Sequence, residues 1–138
     1  MIPPTVLCID DHAELLKLRK STLESCGFHV ETATCAATAM KTLASTPVAT
    51  VLLDYRLDGM DAQAVAYQIK QRHPKQPIVL LSAYSDTPAP LLWLVDEYVM
   101  KSEPPERLAK VIDKVLCSAS KPVSGAETRS HRYDSSAA

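Results

Sequence analysis

Two kinds of apolar segment take turns along this chain. Residues 5–9, 48–53 and 78–81 are apolar almost throughout and short, as strands buried on both faces are. Between them apolar residues recur at helical spacing: Leu15, Leu16, Leu23 and Cys26 within 13–26, then Ala36, Ala37, Met40, Leu43 and Ala44. The same spacing returns in Ala62, Val65, Ala66 and Ile69 within 62–72. Residues 28–32 alternate and predict a strand more exposed than its neighbours; 98–100 predict a brief fifth one. A short helix is expected over 91–95, after Pro88 and Pro90, and a last one over 106–117, opened by Pro104 and Pro105. Gly27 is placed to stop the first helix. The ten prolines keep out of the periodic segments and punctuate them. Five strands alternating with five helices imply an α/β fold, a doubly wound parallel sheet covered on both faces.

A length of 138 residues suits one domain with a real core. The periodic pattern ends at Cys117, so a domain is expected over 1–117 and a flexible tail or linker start over 118–138. The net charge is −1, which gives no general attraction to nucleic acid or to an anionic membrane. No apolar run approaches the roughly 20 residues of a membrane span, and the N-terminus lacks the features of a signal peptide. The expectation is a cytoplasmic protein with no direct nucleic-acid or membrane contact. Cys8, Cys26, Cys35 and Cys117 form no C-x-x-C pair and read as buried thiols. His12, His29, His73 and His131 are scattered and are given no metal role.

The chemistry lies in the residues that end the strands. In a doubly wound parallel sheet, ligands bind beyond the carboxyl ends of the strands. Those ends here carry Asp10 and Asp11, then Asp54, then Ser82, then Lys101. Each alone is bland, since an Asp after a strand is often a helix cap. Together they bring carboxylates, a hydroxyl and an ammonium to one cleft, a set suited to phosphoryl transfer. Crowded carboxylates repel one another until a cation joins them, and Mg²⁺ fits a hard oxygen donor set. One carboxylate then attacks phosphorus, while the lysine and the hydroxyl receive charge on the transferred group.

Residues 5–117 resemble the response-regulator receiver domains of two-component signalling, chemotaxis-regulator-like and flavodoxin-like in fold, with strand order 2-1-3-4-5. The tract 51–61, Val-Leu-Leu-Asp-Tyr-Arg-Leu-Asp-Gly-Met-Asp, is similar to the phosphoacceptor segment. The resemblance implies Asp54 as phosphoacceptor, Asp11 as direct Mg²⁺ ligand, Asp10 as ligand through water, and the Arg56 carbonyl completing the protein ligands. Ser82 matches the switch hydroxyl and Tyr98 the rotating aromatic. A histidine kinase or phosphotransfer protein is the implied donor. A downstream protein partner, or a homodimer, would use the surface from the fourth helix to the fifth. Beyond self-phosphorylation and slow autodephosphorylation, no enzyme activity is implied.

Several positions depart from the pattern. Lys101 is followed by Ser102 where the family has Pro. A cis peptide before a non-proline costs roughly 3–4 kcal/mol, so a trans Lys101–Ser102 bond or a loosened loop is expected; a loose loop would aim Lys101 less firmly and slow phosphorylation. Asp58 and Ala62 replace a common Pro and Gly, read as tolerated loop variation; the alternative gives Asp58 an influence on metal affinity. Arg56 and Tyr84 flank the path of the hydrolytic water and would prolong the phosphorylated state. The interval from Ser82 to Lys101 is short, implying a short or irregular fourth helix in which Trp93 packs into the core or, as the alternative, contacts a partner. The leading reading is a receiver without an attached output module. The alternative is a phosphorylation-independent adaptor with a receiver fold; a haloacid-dehalogenase-type hydrolase is disfavoured because Asp10 and Asp11 are adjacent.

Overall fold

The computed structural model describes residues 2–55, 61–83 and 87–119. Strands β1 (Thr5–Ile9), β2 (His29–Ala33), β3 (Thr50–Asp54), β4 (Ile78–Ser82) and β5 (Glu97–Met100) alternate with helices α1 (Ala13–Ser25), α2 (Ala36–Ser45), α3 (Ala62–Arg72), α4 (Ala89–Leu94) and α5 (Pro105–Ala119). All four strand pairings are parallel. The order is β2-β1-β3-β4-β5, the doubly wound, flavodoxin-like arrangement expected from the alternation.

Successive strand residues point to opposite faces, and this divides the core in two. Leu7, Ile9, Val51, Leu53, Ile78 and Leu80 meet α2, α3 and α4 through Met40, Leu43, Val65, Ile69 and Leu91. Val6, Cys8, Leu52, Val79, Leu81 and Val99 meet α1 and α5 through Leu16, Leu23, Leu108 and Ile112. Each buried Leu or Ile contributes about 1.5–3 kcal/mol of burial free energy. The continuous apolar runs of β3 and β4 are therefore required by covering layers on both sides.

Element boundaries move by a residue or two from the sequence expectations. The first helix closes at Ser25, and Gly27 adopts φ +98°, the left-handed conformation that suits a helix stop. The fourth helix is indeed short, with six residues, but begins at Ala89 and takes Pro90 into its first turn. The last helix continues past Cys117 to Ala119.

Two expectations about side chains are corrected. Trp93 is 77% exposed rather than packed in the core; on so short a helix Leu91 is buried and Leu94 packs partly against the core, which leaves Trp93 facing outward. Of the cysteines only Cys8 is buried, while Cys26, Cys35 and Cys117 are exposed. Cys26 and Cys35 sit at helix ends, where an apolar neighbourhood in sequence does not mean burial.

Asp96 fastens the abbreviated crossover to the sheet. Its Oδ2 accepts from the Ile78 N–H at 2.7 Å and from Lys70 Nζ at 3.0 Å. Its own N–H donates to the Ile78 carbonyl at 2.7 Å, and Lys70 also donates to the Gln76 carbonyl at 2.6 Å. The end of α3, the start of β4 and the start of β5 thus share one polar knot.

Candidate functional site

Strand register assembles the site. Ile9 pairs with Leu53, so Asp10 and Asp54 stand level at the ends of adjacent strands. Asp54 pairs with Leu81, and Ser82 with Met100, which sets Ser82 one step and Lys101 two steps further out. Alternation then sorts the side chains. Asp10, Asp54 and Lys101 share parity with Cys8, Leu52 and Val99 and lean toward the α1 and α5 layer. Ser82 and Tyr98 share parity with Leu80 and lean the other way, toward α4.

Asp10 and Asp54 are fully buried, and Ser82 is buried with them. Lys101 Nζ lies 2.7 Å from Asp54 Oδ2. The lysine is aimed by its backbone: its N–H donates to the Ser82 carbonyl at 2.7 Å, continuing the β4–β5 ladder. The following turn closes when the Glu103 N–H donates to the Met100 carbonyl at 3.1 Å and Glu103 Oε2 accepts from the Met100 N–H at 3.0 Å. Among the described residues no peptide bond is cis, so Lys101–Ser102 is trans. The trans bond is the first of the two expected outcomes; the loop is ordered by Glu103, and the lysine reaches Asp54.

Burial pushes the Asp54 carboxyl above the usual carboxylate range, and its hydrogen bond with Asp10 adds to this; Lys101 opposes both. Asp10 also pays for burial, yet hydrogen bonds with Asp54, His12 and Arg19 outweigh it and hold its carboxyl below the usual range. The pair therefore divides the charge, with Asp10 ionised more readily than its neighbour.

Sequence reasoning passed over two contributors. His12 donates its backbone N–H to Asp10 Oδ1 at 2.9 Å, and its Nδ1 is 3.1 Å from both Asp10 Oδ1 and Asp11 Oδ1. Asp10, Asp11 and His12 thus offer ligand atoms close enough to share one metal ion. Arg19 Nη1 lies 3.2 Å from Asp10 Oδ2. Its signal was available: Arg19 falls between Leu16 and Leu23 on the stripe of α1 that faces the sheet, where a cation needs an anion to meet.

The predicted site residues Asp10, Asp11, Asp54, Ser82 and Lys101 therefore gather at one rim. Tyr98 is half-buried beside it, its hydroxyl donating to Met100 Sδ at 3.1 Å. Arg56, Asp58 and Tyr84 lie outside the described residues. A hard-cation site fits the donor set, because buried Asp54 and Asp10 with the adjacent Asp11 supply carboxylate oxygens whose crowding already disfavours ionisation of Asp54. With Mg²⁺, Asp11 and Asp10 would hold the ion beside Asp54.

Comparison with known proteins agrees with this geometry. The chain is 34% identical over 84 residues to the DNA-binding transcriptional regulator NtrC of Escherichia coli K12, covering 61% of this chain and 18% of that protein. It is 30% identical over 110 residues to the C4-dicarboxylate transport transcriptional regulatory protein DctD of Rhizobium meliloti, covering 78% and 24%. The chain thus spans at most about a quarter of the length of these two relatives. Among solved structures, the response regulator TrrA of Thermotoga maritima in complex with Mg²⁺–BeF superposes with TM-score 0.72 at 30% identity, covering 81% of this chain and 98% of that one. NtrX from Brucella abortus gives TM-score 0.78 at 23% identity, covering 92% and 29%, a likeness of fold. Among the described residues no helix is long and apolar enough to cross a membrane. The family profile of response regulator receiver domains matches residues 6–113, and the chain belongs to that family of two-component signalling domains, whose general role is to accept a phosphoryl group.

Proposed function

We propose that this receiver takes a phosphoryl group on Asp54, from the phosphohistidine of a sensor kinase or phosphotransfer protein, with Mg²⁺ as cofactor. The observation that carries the reading is the 2.7 Å pairing of Lys101 with Asp54 beside the carboxylates of Asp10 and Asp11. An Asp54 carboxylate oxygen attacks phosphorus as the phosphorus–nitrogen bond breaks. The imidazole departs with the electron pair and takes up a proton, leaving an acyl phosphate. Lys101 follows the charge onto the phosphoryl oxygens and Ser82 donates its hydroxyl to one of them. Mg²⁺, when bound, neutralises the crowded carboxylates and the incoming phosphoryl group.

Ser82 and Tyr98 share the sheet face that carries α4, so a hydroxyl drawn toward the phosphoryl group changes what the aromatic packs against. The readout surface is the α4–β5–α5 face, contacted by a downstream protein or a second copy of the chain. Exposed Leu92 and Trp93 give that face its apolar character. Arg56 and Tyr84 are assigned the slowing of hydrolysis, Arg56 also a carbonyl ligand. The receiver unit is taken to residue 119, where α5 ends, with the remainder a tail or linker start, and the protein is assigned to the cytoplasm.

Acetyl phosphate with Mg²⁺, followed by intact mass, tests the reading. One phosphoryl adduct that disappears in Asp54→Asn is expected. No adduct in the parent protein, with partner binding unchanged by Asp54→Asn, would favour the phosphorylation-independent adaptor.

A further inference from the structure

Arg19 occupies an unusual place for a cation. It lies on the inward stripe of α1, its side chain only 15% exposed, and reaches Asp10 Oδ2 at 3.2 Å. A guanidinium so far withdrawn from water is costly unless an anion meets it. Asp10 Oδ1 is taken up by His12, through the backbone N–H at 2.9 Å and the ring nitrogen at 3.1 Å. Arg19 thus holds the other oxygen of the carboxylate that an incoming cation would share with Asp11.

We propose that Arg19 is the resident counter-ion of Asp10, standing in for the divalent cation when that cation is absent and competing with it when it arrives. The claim rests on the Mg²⁺-dependent reading above but concerns metal affinity rather than phosphorylation. Charge accounting supports it. Asp10, Asp11 and Asp54, fully ionised, against Lys101 and Arg19 leave one negative charge, so a dication overshoots neutrality. Without Arg19 two negative charges remain, which a dication cancels. Arg19 also has somewhere to go. It borders a groove of about 340 Å³ between α1 and α5, lined by Leu15, Leu18, Met100 and Leu108, whose walls accept its aliphatic stem while the guanidinium turns to water.

The test titrates Mg²⁺ calorimetrically into the parent protein, Arg19→Met and Lys17→Met, and melts each in EDTA and in saturating Mg²⁺. Lys17 is an exposed residue of the same helix, paired only loosely with Glu14 at 3.8 Å, so its loss removes the same charge away from Asp10. Arg19→Met is expected to bind Mg²⁺ about fivefold more tightly, as for loss of one partly screened competing charge, with Lys17→Met unchanged. Its melting temperature should fall in EDTA and return to the parent's value in Mg²⁺. If Arg19→Met does not fold, Arg19→Gln, which removes the charge but keeps a hydrogen-bond donor for Asp10, should still bind more tightly than the parent. Equal or weaker Mg²⁺ binding in the folded Arg19 variant overturns the proposal, as does absence of binding in every protein. Tighter binding without any acetyl-phosphate adduct retains the counter-ion role and removes the phosphoacceptor reading; an adduct without a change in affinity does the reverse.

Discussion

Lys101 Nζ stands 2.7 Å from Asp54 Oδ2 although the residue after the lysine is Ser102 and the peptide between them is trans. The work of ordering this loop falls to Glu103, which both donates to and accepts from Met100. Glu103→Ala removes the carboxylate that holds the Met100 N–H, and should cost about 0.5–1.5 kcal/mol. Because the same turn aims Lys101, phosphorylation by acetyl phosphate should slow as well. Chemical denaturation and the rate of adduct formation check the two effects. Full stability with a slowed rate would place Glu103 in positioning alone; an unchanged rate would deny it that role.

Lys101 itself should matter more to the rate than to the fold. It is partly exposed, so its ion pair with a buried carboxylate is the group's main interaction, and that carboxylate is already pushed toward protonation. Lys101→Met is expected to lower the rate of phosphoryl transfer by about 10²-fold, the usual cost of deleting one preorganised charge-stabilising group. Stopped-flow fluorescence from Trp93 is unsuited to this because that side chain faces solvent; quantitative mass spectrometry over time is suitable.

The strand-end residues were readable from sequence because a buried parallel strand is apolar until it leaves the sheet, so Asp10, Asp54, Ser82 and Lys101 break the pattern at the rim. The layer order followed from alternation of strand and helix. What escaped were contacts across layers. Arg19 belongs to an ordinary-looking charged helix until α1 is laid on the sheet, and His12 is one residue past an acidic pair whose direction depends on the loop. Trp93 was misplaced for a related reason: a six-residue apolar helix has too few turns for periodicity to distinguish its faces, and the structure turns Leu91 inward and Trp93 outward.

The acidic pair gives stability a particular pH dependence in EDTA. The folded carboxyl of Asp54 is raised by burial and by Asp10, so its contribution is greatest when protonated and is lost as pH rises through the folded value. Asp10, held low by its hydrogen bonds despite burial, acts in the opposite sense, and its contribution is lost only as pH falls below the ordinary Asp value of about 3.9. Between pH 7 and about 4, Asp54 therefore governs. Parent stability relative to Asp54→Asn should rise as pH falls through that window. Urea titrations at several pH values check it, and a flat difference would contradict the assigned shift.

Thiol reactivity should follow position rather than sequence neighbourhood. Burial pushes the Cys8 thiol up to about 12, so it stays protonated and shielded in the native protein. Cys35 caps the start of α2 in the open, and its hydrogen bonding with Thr38, at 3.2 Å between Sγ and Oγ1, holds its thiol below the ordinary range. Iodoacetamide should label Cys35 first, then Cys26 and Cys117, and Cys8 only on denaturation. Peptide mapping at short times gives the order. Thr38→Val should slow Cys35 without affecting the others.

Asp96 offers the sharpest stability test of the abbreviated crossover. One carboxylate oxygen satisfies both the Ile78 N–H and Lys70 Nζ, while the residue's backbone continues the knot through the Ile78 carbonyl. Asp96→Ala leaves a partly buried amide and an ammonium to find other partners, a loss of about 1–3 kcal/mol. Asp96→Asn keeps an acceptor for the Ile78 N–H but loses the charge that draws Lys70, so a smaller cost is expected. The knot lies at the end of β4 remote from Asp54, which separates stability from chemistry. Both variants should accept phosphate from acetyl phosphate at parental rates wherever they are folded. Equal stability of all three proteins would mean that the short α4 segment is held by the apolar packing of Leu91, Leu94 and Val95 and not by the knot.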